Sequence, residues 1–228
     1  MVKLYSVGGY VRDKLLGRIS NDLDYAVEAD SFEDMHNYII ANNFHIFLEK
    51  PEFFTIRAMS KKSKKTIDFT LCRTDGQYSD YRRPDKCEIG NIYQDLSRRD
   101  LTINAIAIDE NGNIIDPYNG KEDIDNRIIR CVGNVRERIT EDPLRILRAL
   151  RFAVILGFTI NDDLETLLHE DSVVKLLKHI SIERKIGELT KMFKYDTIKS
   201  IEILTKYNIV AKYTFINGLW MLPTNKKI

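Results

Sequence analysis

The chain has 228 residues, 43% of them hydrophobic and 30% charged, and its 35 Lys and Arg nearly balance its 34 Asp and Glu. A net charge of +1 excludes a global basic field, so any nucleic-acid contact has to come from local patches on a globular protein of one or two domains. No apolar run approaches membrane-spanning length, and the first residues alternate like a strand instead of forming a signal peptide. Cys72, Cys87 and Cys131 are too widely spaced for a disulfide framework or a zinc motif. His36, His45, His169 and His179 lack ligand or triad spacing. The expectation is a cytoplasmic protein with no membrane partner.

In chain order, Met1–Val7 reads as a first strand. Gly8-Gly9 then turns into a short helical run for which Gly17 is a C-terminal cap. A glycine turn of this kind offers bare backbone N–H groups to an anion such as a phosphate. The stretch Asp22-Leu23-Asp24-Tyr25-Ala26-Val27 alternates at period two, which puts Asp22 and Asp24 on one face and Leu23, Tyr25 and Val27 on the other. Two like charges side by side persist most easily around a cation, and oxygen-only ligation favours magnesium or a similar hard ion. Phosphate cradle and metal carboxylates together are the pattern of phosphoryl or nucleotidyl transfer; two solvated acids on a surface strand are the plainer alternative.

Ser31 is placed to cap a helix over 32–43, with Phe32, Met35, Ile39 and Ile40 on its apolar stripe. Strands are expected at 53–57 and 66–71, joined by Lys61-Lys62-Ser63-Lys64-Lys65. That lysine run reads as a solvated hairpin turn, with RNA contact as the other reading. Asp68 shares a strand face with Thr66 and Thr70; if this strand neighbours the first acidic one, three carboxylates converge as a two-metal site requires. Arg98-Arg99-Asp100 offers guanidiniums to phosphates and a carboxylate to a ribose hydroxyl, or a surface ion pair. Asn111-Gly112 between apolar runs predicts a hairpin.

From Thr140 onward the spacing becomes helical: through Phe158, starting near Pro143, then about 162–178, 182–193 and 196–207. Asp142 and Arg145 lie three apart on one helix face. They form either a salt bridge or a reader of the Watson–Crick edge, the carboxylate accepting from an exocyclic amino group while the arginine donates to the adjacent ring nitrogen. Cytosine and adenine present that pattern; uracil and guanine present its reverse. The composition shift near Cys131–Gly133 divides a mixed head, 1–133, from a helical part, 134–228.

Taken together, five segments resemble the class II tRNA nucleotidyltransferase and bacterial poly(A) polymerase family of the polymerase-beta superfamily. They are Gly8–Asp13 with Asp22-Leu23-Asp24, Arg98–Ala105, Asp116-Pro117-Tyr118-Asn119-Gly120, Glu141–Phe152 and Ile182–Leu189. Leu101 replaces a usual aromatic and Asn119 a common glycine. The resemblance implies an α+β fold: a polymerase-beta-like head with a mixed β-sheet, followed by an all-helical neck. It implies catalytic Asp22, Asp24 and Asp68, with Mg2+ on Asp22 and Asp24. It implies nucleotide binding by Gly8, Gly9, Arg12, Arg99, Asp100, Asn104, Asp142, Arg145, Arg148 and Arg151, Asp100 meeting the ribose and Asp142 with Arg145 the base. ATP and CTP are the implied substrates and an RNA 3′ end, that of tRNA, the acceptor. Arg73–Pro84 resembles the family's flexible loop, associated with the switch from C to A addition, and a short Gly-basic-basic-Phe signature of poly(A) polymerases is not found. Family members continue beyond the position of Ile228 into body and tail domains, so the chain reads as a minimal enzyme, a fragment, or an enzyme with a smaller RNA target. A homodimer is one way for a short chain to recover RNA surface.

Overall fold

The computed structural model describes residues 1–20, 23–81 and 84–215. Asp22, Arg82 and Arg83, which carry part of the sequence reading, lie outside them. The chain folds as two compact units, one comprising Met1–Ser79 with Pro84–Asn126 and the other running from Arg127 onward together with Asp80 and Tyr81.

The first unit opens with β1 (Lys3–Val7), α1 (Gly9–Leu15), β2 (Leu23–Glu28), α2 (Phe32–Ala41), β3 (Phe44–Lys50), β4 (Thr55–Ser60) and β5 (Thr66–Leu71). It continues through β6 (Arg73–Asp75), β7 (Cys87–Ile89), α3 (Ile92–Ser97), β8 (Ala107–Asp109), β9 (Ile114–Ile115) and α4 (Gly120–Asp125). Seven strands form one sheet in the order β3-β4-β5-β2-β1-β8-β9, in which β2 and β5 run parallel and the remaining pairs antiparallel. One sheet face buries Val27, Ile56, Ala58, Ile67, Phe69 and Leu71 against Met35 and Ile39 of α2, with Leu23 and Tyr25 packed on the cluster. That is the apolar face expected from the period-two pattern of β2 and β5. The other face is left to Asp24 and Asp68.

Local chemistry accounts for the elements. Gly17 sits at φ +67 as a C-terminal cap of α1. The Gly17 N–H donates to the Lys14 carbonyl and the Arg18 N–H to Asp13, the double bond of a Schellman turn. Ser31 Oγ accepts from the Asp34 N–H at 3.0 Å and starts α2. Lys61–Lys65 form the exposed turn between antiparallel β4 and β5. Gly112, at φ +86, turns β8 into β9.

Three expectations are corrected. Phe53 and Phe54 are not strand: Pro51–Phe53 is a 3-10 turn and Phe54 is left-handed at φ 57, so extension begins at Thr55. Ile40 is exposed, because one residue beyond Ile39 the helix has turned about 100° from the buried stripe. The segment Arg73–Pro84 begins as strand, with β6 paired to β7. The edge strand β3 carries only a partial alternation and escapes the sequence reading.

The second unit contains β10 (Ile128–Ile129), α5 (Val135–Glu141), α6 (Leu144–Leu156), β11 (Thr159–Ile160), α7 (Asp162–Leu168), α8 (Asp171–Val174), α9 (Ile182–Tyr195), α10 (Thr197–Lys206) and α11 (Asn208–Thr214). The β10–β11 ladder ties Ile128 and Ile129 to this unit, so the division falls before the 133–134 boundary read from composition. The helix expected around Thr140–Phe158 is two, because Pro143 forces Asp142 out of the helical region, to φ −146 and ψ 96. Gly157, left-handed at φ 70, ends α6. The helix expected over 162–178 is broken as well: Glu170 is extended between α7 and α8, and Lys175–His179 tightens to a 3-10 turn.

Candidate active site

In the first unit the parallel register makes Asp24 and Asp68 direct partners, one strand spacing apart on the sheet face away from the apolar cluster. Strands of a sheet lie about 4.8 Å apart. Asp68 is also directly opposite Arg57, whose Nε and Nη2 donate to its two carboxylate oxygens at 2.5 and 2.7 Å. Those hydrogen bonds, and then the Asp68 charge, hold the Arg57 guanidinium more firmly protonated. Asp68 thus stands beside Asp24 with its charge already shared by a guanidinium. Arg57 is a site residue that the sequence reading missed; only the hairpin register puts it there.

The Gly8 turn lies against this pair. Gly8 is left-handed at φ +68, and a Cβ there would sit 3.4 Å from Arg99 Nη1 and 3.8 Å from Asp24 Oδ2. Glycine therefore serves both the conformation and the approach of Arg99 and Asp24 to the main chain. A Cβ on Gly9 would meet the Arg12 guanidinium at 3.5 Å. Arg12 Nη1 donates to Asn104 Oδ1 at 2.8 Å, Asn104 Nδ2 to Asp100 Oδ1 at 3.2 Å, and Arg99 Nη1 to the Asn104 carbonyl at 3.4 Å. One network thus joins Gly8, Gly9, Arg12, Arg99, Asp100 and Asn104, residues from segments far apart in the chain.

Beneath the network lies Asp95, 1% exposed, which the sequence reading did not single out. Its Oδ2 accepts from Arg99 at 2.8 and 3.2 Å, and its Oδ1 accepts from Arg98 at 2.5 and 3.0 Å. Burial pushes the Asp95 carboxyl up, but Arg99 and Arg98 outweigh it and hold the carboxyl below its ordinary range. Arg98 Nη1 in turn lies 3.6 Å from Asp75, which also accepts from Arg73 and from the Tyr78 hydroxyl. The signal in the sequence was the spacing of Asp95 from Arg98 and Arg99, three and four residues along a helical turn.

Asp116–Gly120 turns out to buttress these residues. The Asp116 carboxylate accepts the Gly120 and Lys121 N–H groups at 2.7 and 2.8 Å. Asn119 is left-handed at φ 55, a conformation asparagine tolerates where glycine is otherwise favoured. Gly120 packs so close to the 3-10 turn Thr102–Asn104 that a Cβ would lie 2.1 Å from the Thr102 carbonyl oxygen. Buried Asp123 accepts from Thr102 Oγ1 at 2.6 Å.

In the second unit, Asp142 and Arg145 flank the start of α6. Asp142 Oδ2 accepts from Arg184 of α9 at 2.7 Å, and Arg145 donates to Glu141 Oε2 at 2.7 Å and to the Arg138 carbonyl at 2.9 Å. Arg145 is 7% exposed, so its side chain is held rather than waving in solvent. Arg148 is half-buried, 3.8 Å from Glu188. Arg151, expected to bind nucleotide, is buried, donates to Glu188 Oε2 at 2.5 Å and lies over the Phe152 ring. Its spacing put it in the basic series, but the α6–α9 packing decided its surroundings. Arg184 and Glu188 belong to the fifth segment, whose individual roles the sequence did not assign. His179 stacks on Tyr81, ring centroids 4.6 Å apart.

No helix among the described residues is long and apolar enough to cross a membrane. Comparison with known proteins matches residues 4–130 to the Poly A polymerase head domain. The CCA-adding enzyme of Oceanobacillus iheyensis is 40% identical over 190 residues, 83% of this chain and 45% of that enzyme. The Bacillus stearothermophilus CCA-adding enzyme, solved in complex with CTP, superposes with a TM-score of 0.77 at 34% identity, covering 95% of this chain and 52% of that one. A tRNA nucleotidyltransferase solved with a primer tRNA and an incoming ATP analog gives 0.78 at 32% identity, covering 97% and 61%. The chain spans about half the length of the curated relatives it matches. With the family model matched over more than half of its residues, the chain belongs to the Poly A polymerase head domain family.

Proposed function

We propose that this chain is a template-independent RNA nucleotidyltransferase that adds C and A from CTP and ATP to the 3′ end of tRNA. The observation that carries the reading is the pairing of Asp24 with Asp68 beside the Gly8 turn and Arg99. Relatives named as CCA-adding enzymes, one solved with CTP, and a structure with a primer tRNA and an ATP analog support the choice of substrates.

The donor set fits a hard divalent ion: among the described residues the two side chains paired on this sheet face, Asp24 and Asp68, are both carboxylates. Asp24, with Asp22 two residues earlier in the sequence, would hold Mg2+, and Asp68 is the partner of Asp24 across the ladder. When bound, such an ion lowers the pKa of an attacking hydroxyl and offsets charge on a triphosphate. Arg99, fixed by Asp95, and Arg12, fixed by Asn104, present guanidiniums to phosphate oxygens. Asp100 accepts from a ribose hydroxyl, which favours ribonucleotides because an analogue without that hydroxyl forfeits a hydrogen bond to a buried carboxylate. Asp142 and Arg145 read the base, their carboxylate and guanidinium oriented by Arg184 and Glu141. Arg148 and Arg151, each engaged by Glu188, are the further guanidiniums assigned to the nucleotide. The RNA 3′-hydroxyl attacks the α-phosphorus, its P–O bond forms as the bond to pyrophosphate breaks, and the hydroxyl proton leaves to solvent. The place of action is the cytoplasm.

The family model's own description favours poly(A) addition as the second reading. One assay separates the two: tRNA transcripts ending at the discriminator base, at C or at CC are incubated with CTP, ATP or both, and the products are sequenced. Completion of CCA and arrest there is the expected result. Homopolymeric A tails would establish the second reading, and absence of pyrophosphate release would overturn both.

A further inference from the structure

The row of side chains that crosses the sheet at the candidate metal site carries a cation next to its acids. Arg57 of β4 lies opposite Asp68 of β5, and Asp68 lies opposite Asp24 of β2. On its other side the β3 partner of Arg57 is Leu48, which offers it no charge. Within β4, Ile56 and Ala58 fill the core, while Arg57 stands on the opposite face and is exposed. Packing therefore makes no demand for a long cationic side chain at this position.

The contact that Arg57 makes is specific. Its Nε and Nη2 donate to separate oxygens of Asp68, the planar fork that guanidinium and carboxylate form best. Each carboxylate oxygen has about two acceptor directions. Arg57 takes one on each oxygen and sets a positive charge beside the others. A divalent ion that recruits Asp68 thus meets a carboxylate already engaged by a cation. The pair is also open to water, the Arg57 side chain 46% and the Asp68 side chain 30% exposed. An ion pair this exposed contributes little to stability, so a stronger competitor for the carboxylate can open it.

We propose that Arg57 is a positioning residue that competes with the divalent ion for Asp68, so that Asp68 joins the metal site only when the guanidinium releases it. The proposal rests on the nucleotidyltransferase reading for the presence of that ion. When no ion is bound, Arg57 offsets one of two facing negative charges and lets Asp24 and Asp68 stand side by side. The consequence is weaker binding of the free ion than the carboxylates would give without Arg57.

The test is Mn2+ binding by the full chain without nucleotide or RNA, followed as loss of the free-ion electron paramagnetic resonance signal. Mn2+ takes the same oxygen ligands as Mg2+. Arg57→Gln is expected to tighten binding about 10-fold, the lower end of the effect that neighbours of metal ligands have on affinity. Arg57→Lys, a cation without the fork, should fall between Arg57→Gln and the wild type. In an Asp68→Asn background, Arg57→Gln should have no effect, because the carboxylate competed for is gone. Unchanged affinity in Arg57→Gln overturns the proposal. So does an equal tightening with and without Asp68, which would make Arg57 a source of general positive field. Absence of Mn2+ uptake by every variant overturns it together with the metal assignment. If affinity shifts as expected while the tRNA end-sequencing assay shows no addition, the competition stands and the catalytic reading fails. If addition proceeds with unaltered affinity, Arg57 and Asp68 form a surface ion pair and the catalytic reading is untouched.

Discussion

Asp24 and Asp68 are direct partners across the parallel β2–β5 ladder, and Arg57 grips both oxygens of the second while leaving the first on the Gly8 side. Replacing Asp24 by alanine therefore removes a carboxylate from the candidate metal site while relieving repulsion with Asp68. We expect pyrophosphate release to fall by at least about 100-fold, as when a preorganised charge-stabilising group is lost. Chelation should abolish the same signal and added Mg2+ restore it. Near-normal turnover in Asp24→Ala or Asp22→Ala would remove the metal assignment.

Asp95 is the buried anion on which Arg98 and Arg99 converge. Removing one partner from a buried ion pair typically costs about 3–5 kcal/mol, so Asp95→Asn should unfold at markedly lower urea concentration. The pH dependence has a definite sign. A carboxyl held low in the folded state contributes stability that is present above its ordinary unfolded value, about pH 4, and is lost as the pH falls through the folded value. Below about pH 4 the wild-type chain should lose stability more steeply than Asp95→Asn. Parallel acid curves for the two would show that the carboxyl is not held low.

Asp142 and Arg145 are each anchored by a further charged residue, Arg184 and Glu141. A hydrogen bond to a charged group contributes about 1.5–3 kcal/mol. The double variant Asp142→Ala with Arg145→Ala should thus reduce discrimination against UTP and GTP by roughly 10–100-fold. Arg184→Ala should move selectivity in the same direction by a smaller amount. Competition between labelled nucleotides measures both, and unchanged selectivity in the double variant would return the pair to a structural role.

Gly120 has no room for a methyl group, because a Cβ would meet the Thr102 carbonyl at 2.1 Å. Gly120→Ala should cost about 1–3 kcal/mol or more through forced displacement of the turn that carries Asn104. Its neighbour Asn119 already occupies a left-handed conformation, so Asn119→Gly should be tolerated. Thermal unfolding of the two variants distinguishes close packing from a functional requirement for the whole segment.

The sequence by itself determined whatever depends on neighbours within a few residues. Period-two alternation put Asp24 on one face and Leu23, Tyr25 and Val27 on the other. Gly17, Ser31 and Gly112 marked a helix end, a helix start and a hairpin. Ordered short segments pointed to the family that the comparison then matched. The tertiary structure decided what depends on distant pairing. Register across the sheet set Asp68 between Asp24 and Arg57, because strand partners are fixed by the fold and not by spacing. Helix packing buried Arg151 against Glu188, which its place in a basic series did not reveal. The spacing of Asp95 from Arg98 and Arg99 marks a pair of ionic contacts, but its burial is set by the packing around α3. Asp95 therefore passed unnoticed in the sequence, and it lies at the centre of the first unit's charge network.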